Sequence, residues 1–147
     1  MISISTVEQF QEAIIAQHDD NDYDQSGYVV VVKDGIAAIS RYGHCSCYDT
    51  WCDLTGGGVS DRQGPNPPRW DWTGSLDQLK NMAVNKLDPS MPDRIADSND
   101  YDYDHLMAVY EQVISWFESL PNAQDNRGAS PPVDQLVGRD VIIEGKI

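Results

Sequence analysis

Positive charge is what this chain has least of. Lys and Arg together number 10 against 24 Asp and Glu, and neither occurs in residues 1–32 or 95–126. Neutralising phosphates requires clustered Lys and Arg, so direct nucleic-acid binding is disfavoured. No apolar run approaches the roughly 20 residues of a membrane span, and Met1 to Phe10 has neither the basic lead nor the apolar core of a signal peptide. Cysteines are few, three in all, and they sit together at Cys45, Cys47 and Cys52. An odd number without a framework pattern points to free thiols in a reducing cytoplasm. Neither GxxxxGK[ST] nor GxGxxG occurs, which disfavours nucleotide binding, and no catalytic signature stands out.

What the chain has in plenty is aspartate. Nineteen of the 24 acids are Asp, and the net charge is −14 with a pI near 4.2. The layout matters more than the total. Residues 1–32 hold six acids and 95–126 hold seven, both without a base, whereas 33–94 and 127–147 are close to neutral. At 147 residues and 40% hydrophobic content, the chain is expected to form one globular domain with a real core.

The organising stretch is expected to be a β-hairpin over about 28–42. Val29 to Val32 are β-branched, which suits a pleated surface, and their unbroken run predicts a strand covered on both faces. Asp34-Gly35 tolerates the positive φ of a tight turn. Helical spacing predicts helices over about 6–18 (Val7, Phe10, Ile14), 75–87 (Leu76, Leu79, Ala83, Leu87) and 104–120 (Leu106, Tyr110, Val113, Phe117, Leu120). Ser5 with Glu8 and Ser75 with Gln78 are capping-box patterns, and Asp104 is the expected N-cap of the third helix. Val141-Ile142-Ile143 predicts a C-terminal strand over about 139–145. The expected fold is α+β: a small antiparallel sheet of the hairpin plus the C-terminal strand, packed against three helices. Long loops fall at about 53–74, 88–103 and 121–135.

Several clusters carry candidate chemistry. His44, Cys45, Cys47 and Cys52 are zinc-ligand types, but they fall within nine residues, and His18 and His105 read as isolated. Buried thiols packing under Trp51 and Tyr48 is the preferred reading. A nucleophilic Cys with His44 as base is disfavoured, because on a strand His44 points away from Cys45 and Cys47. Asp22, Asp24, Ser26 and Gly27 match the first half of a calcium loop, yet position twelve is Lys33, where a Glu is needed. Trp70 and Trp72 are read as clamps on the core in preference to a stacking platform for a base or sugar.

The charge layout favours an acidic protein-interaction module, not an enzyme and without a cofactor. Carboxylates spread along a surface can occupy a site built for phosphates and steer the encounter. In size and charge the chain resembles small phage-encoded inhibitors of host defence nucleases, such as anti-CRISPR or anti-restriction DNA mimics, a resemblance of composition. The expected partner is a protein with a basic, nucleic-acid-binding surface, with no membrane contact. The expected contacts are Asp19, Asp20, Asp22, Asp24, Asp97, Asp100, Asp102 and Asp104, with Tyr101 and Tyr103 as aromatic anchors. The alternatives are a metal-binding protein, with calcium at Asp22, Asp24 and Ser26 or zinc at Cys45, Cys47 and Cys52, and a Cys-dependent enzyme.

Overall fold

A computed structural model describes residues 2–20, 24–45, 49–57 and 66–120, together with the backbone of 128–130 and 142–145. The side chains of Asp24 and Cys45 lie outside that description. The chain divides into two compact units, Met1–Ile114 and Ser115–Ile147.

The first unit opens with helix α1 (Val7–Ala13). Its N-cap is Thr6, whose hydroxyl accepts from the Gln9 amide at 3.1 Å, while the Gln9 side chain accepts from the Ser5 amide at 2.7 Å. The cap therefore lies one residue beyond the expected Ser5/Glu8 box. The helix is also shorter than expected. Ile14 ends it with extended backbone and begins strand β1 (Ile14–Asp19) with no linker between. Ile14 and Ile15 are β-branched, and pairing to a neighbouring strand outweighs the weak helical stripe they continue.

Strands β2 (Asp24–Lys33) and β3 (Ile36–Cys45) form the expected hairpin, longer than 28–42 at both ends. Asp34 and Gly35 turn it with φ of 54° and 79°. A short helix α2 (Thr50–Thr55) follows, capped by the Asp49 carboxylate on the Cys52 amide at 2.9 Å and closed by left-handed Gly56. Strand β4 (Trp72–Ser75) then pairs with β3. Helix α3 (Leu76–Asn85) carries the expected Ser75/Gln78 capping box and stops at left-handed Lys86. Strands β5 (Leu87–Asp88) and β6 (Met91–Ile95) make a small hairpin where a loop was expected. Helix α4 (Tyr103–Glu118) closes the unit, and its last residues belong to the second unit. The Leu106 amide donates to the Asp102 carbonyl at 3.1 Å, so Asp104 lies in the first turn and not at the cap.

The main sheet is antiparallel in the order β1-β2-β3-β4, which gives the α+β fold. Its outer strands are β1 and β4. The C-terminal strand β8 (Ile142–Gly145) pairs instead with β7 (Gly128–Ser130) in a two-stranded sheet of the second unit. Val29, Val30 and Val31 are completely buried, as the unbroken run predicts, and burial of each contributes about 1.5–3 kcal/mol. Val29, Val31, Ala38 and Tyr42 pack on one face with Phe10 and Ala13 of α1 and with Trp51 and Leu54 of α2. Tyr28, Val30, Ala37 and Ile39 alternate to the other face and are also buried, as are Leu79 and Met82 of α3 and Leu106, Val109 and Tyr110 of α4. No helix among the described residues is long and apolar enough to cross a membrane.

Candidate functional site: an acidic face at the start of helix α4

The strand register assembles the site. His18 pairs with Tyr28, and Tyr28 pairs with Arg41, so alternation puts these three side chains on the face opposite Val29 and Val31. Ser26 lies on that same face. The residues before and at the start of α4 meet them there.

Asp102 is the anchor. It is 1% exposed, and both its oxygens accept from the Ser26 hydroxyl at 3.0 Å. Arg41 Nε donates to Oδ2 at 2.8 Å, and Arg41 Nη2 reaches Asp100 Oδ1 at 2.9 Å. Asp100 Oδ1 also accepts from the Asp102 amide at 2.9 Å. A buried carboxylate needs a partner and satisfied lone pairs, and one guanidinium fork with one hydroxyl supplies both. The guanidinium sits 5.9 Å from the Tyr28 ring centroid, within cation–π range. Burial pushes the Tyr28 hydroxyl up to about 12, against the lowering pull of Arg41. Asp102 is therefore an internal strut and not a contact for a partner, and Asp100 is half committed to Arg41.

A second set of contacts lies beside this anchor. His105 Nε2 meets Asp20 Oδ1 at 2.6 Å, and His105 Nδ1 lies 2.9 Å from His18 Nδ1. The Tyr101 hydroxyl donates to the other Asp20 oxygen at 3.3 Å. The two histidines, expected to be isolated, thus touch across 87 positions of sequence. On the opposite face the Tyr42 hydroxyl donates to Asp19 Oδ2 and accepts from Gln17 Nε2. Burial, and then the Asp19 contact, pushes the Tyr42 hydroxyl up. Asp97 and Asp104 are exposed and Tyr103 is half-buried, while Tyr101 is 76% exposed. Asp22 lies outside the described residues, as does the side chain of Asp24.

Gly27 makes this geometry possible. It pairs with Asp19, and a Cβ there would fall on the His18 carbonyl oxygen and lie 2.6 Å from Asp19 Cα. A close approach of this kind admits only glycine.

The other candidates divide. Ser26, proposed for a calcium loop, gives its hydroxyl to Asp102. Cys52 is 1% exposed inside α2, Cys47 lies outside the described residues, and His44 is buried against Thr50 Oγ1 at 3.1 Å. Among the described residues no group of three or more His, Cys, Asp or Glu side chains is arranged to hold a metal. Trp70 stacks near Phe10 at 6.5 Å and packs on the core cluster, as a clamp would. A cavity of about 60 Å³ lies among Tyr28, Arg41, Asp88, Asp97, Asp100 and Tyr103. That is room for a water or two, far below the roughly 300 Å³ at which ligand pockets begin. No family model, curated protein or solved structure matches the chain.

Proposed function

We propose that this protein is an acidic interaction module that covers a basic, nucleic-acid-binding surface of a partner protein and acts by occlusion, without chemistry of its own. The observation that carries the reading is the meeting of the two base-free stretches: Asp20 of the first accepts from Tyr101 and lies against His105 of the second. Their carboxylates then act on one region of surface, where fields of the same sign add and steer a cationic partner. The contact set is Asp20, Asp97 and Asp104 around Tyr101, an exposed aromatic of the kind that anchors interfaces. Arg41, the cation nearest Asp102, is held by Asp100 and Asp102 and so subtracts little from the field. A nuclease of the anti-CRISPR or anti-restriction target type is one such partner.

The test is capture from a bacterial lysate at low and moderate salt, followed by a nucleic-acid-binding assay on whatever is recovered. The reading expects a recovered protein to lose its nucleic acid when the wild-type chain is added, and its capture to weaken from low to moderate salt. It expects the variant Asp97→Asn/Tyr101→Ala/Asp104→Asn to bind roughly tenfold or more weakly. Identical recovery by wild type and variant, or no competition with nucleic acid, would remove the basis for the reading.

A further inference from the structure

The histidine pair sits inside the acidic face and follows an arithmetic of its own. A neutral imidazole has one N–H donor and one bare nitrogen acceptor, and a charged one has two donors. His105 Nε2 lies 2.6 Å from an Asp20 oxygen, so its proton is held there and its Nδ1 is left as the acceptor. His18 Nδ1, 2.9 Å away, is then the donor. One added proton is accommodated: it goes onto His18 Nε2, the one bare nitrogen outside the contacts, while a single proton stays between the two Nδ1 atoms and His105 Nε2–H still donates to Asp20. A second proton is not. It sets two N–H donors against each other and two positive rings 5.1 Å apart.

We infer that the His18–His105 pair gates the acidic face by pH, taking one proton with its contacts intact and opening, with loss of affinity for a basic partner, when it takes the second. This rests on the proposed function, and it names the regulation of that same surface. Imidazole changes charge between about pH 5 and 8, where carboxylate and lysine charges stay fixed. Just past the end of β1 the pair faces Asp20, with Asp19 on the far side engaged by Tyr42. On β2 it faces Tyr28, neutral throughout this range, and on β3 Arg41 is held by Asp100 and Asp102. From the α4 side it meets Tyr101 through Asp20, with Asp104 next to His105 in the chain. Asp20 is already engaged by His105 Nε2–H and Tyr101, and among the described residues no other carboxylate is hydrogen-bonded to either ring.

Two readouts on the full chain test this. The first is an NMR titration of the imidazole nitrogens in wild type, His18→Gln and His105→Gln. Each ring's titration curve in wild type should differ from its curve when the other ring is replaced, as expected of two groups in contact. If each ring titrates in wild type as it does when the other is absent, the pair is uncoupled and the inference is overturned, whatever the binding shows. The second readout is the affinity for a lysine octapeptide at pH 7.5 and 5.5. A fall of about tenfold is expected in wild type, of the size that like charge inside an interface produces, and less than threefold in His18→Gln/His105→Gln. Equal affinity at both pH values overturns the gate and leaves the acidic-surface reading standing. No binding at either pH overturns the acidic-surface reading and the gate with it, while the titration still reports the coupling.

Discussion

The two faces of the central sheet are held by different forces. One is closed by an apolar cluster in which the tilted rings of Phe10 and Trp51 pack at 5.3 Å, together with Val29, Val31 and Ala38. The other adds to its apolar packing a polar clasp, in which α4 is tied to the strands through Asp102, Arg41 and Ser26 and through His105 and His18. Apolar contact is non-directional and tolerates small shifts. Charged hydrogen bonds fix orientation and fail sharply when one partner is lost. The clasped face can therefore hold a set of carboxylates in fixed positions, which a charge-based recognition surface requires, and the apolar face gives the sheet the stability to carry it.

Substitutions on each side sharpen that contrast. Phe10→Ala should cost about 3–5 kcal/mol, the range for a buried aromatic, and urea unfolding should show the loss unchanged by salt or pH. Asp102→Ala should cost about 3 kcal/mol by leaving Ser26 without its acceptor and Arg41 with only the more exposed Asp100. Unlike the first loss, it should shrink with added salt, because the Arg41 end of the pair is partly open to solvent. Equal salt dependence for the two variants would break the comparison.

Gly27→Ala probes where the faces meet. The added Cβ strikes the His18 carbonyl, so β1 must move away from β2. A cost of about 1–3 kcal/mol is expected, together with loss of the His18–His105 contact. Retained coupling would show that the backbone contact does not position the pair.

The smallest expected effect is alkaline. The folded Tyr28 hydroxyl titrates near 12, above the ordinary tyrosine value of about 10, so between these values the folded chain holds a proton that the unfolded chain has released. Stability is then present below pH 10 and lost as the pH rises toward 12. Tyr28→Phe should flatten that part of the stability curve, and an unchanged slope would place the cause elsewhere. Tyr42 and Tyr110 shift in the same direction, so part of the decline should survive in the variant.

Local chemistry was readable in the sequence, and long-range pairing was not. The β2–β3 hairpin, α3 and the stripe of α4 follow from a β-branched run, an Asp-Gly turn, a capping box and a helical spacing, all of them nearest-neighbour effects. Strand β1 was misread because Ile14 continues the stripe of Val7 and Phe10 as well as it begins a strand, and only its pairing with Val31 decides. The β5–β6 hairpin was missed because its strands are two and five residues long. Within the acidic stretches nothing in sequence separates Asp102 from its alternating neighbours Asp100 and Asp104, yet it alone of the three is sealed from water. The distinction is made by Arg41, 61 positions away. His105 likewise gave no local sign of its contact with His18.

The junction at Ile14 has a mechanical consequence. Helix α1 passes into β1 without a hinge, so the two cannot swing independently. A load applied at Asp20 runs down β1 in one direction to Phe10, seated in the apolar cluster. In the other it spreads rung by rung across the ladder to β2. A partner pulling along the strand from the acidic end thus works against shear across several hydrogen bonds at once. The edge that carries the charge is also the edge built to bear tension.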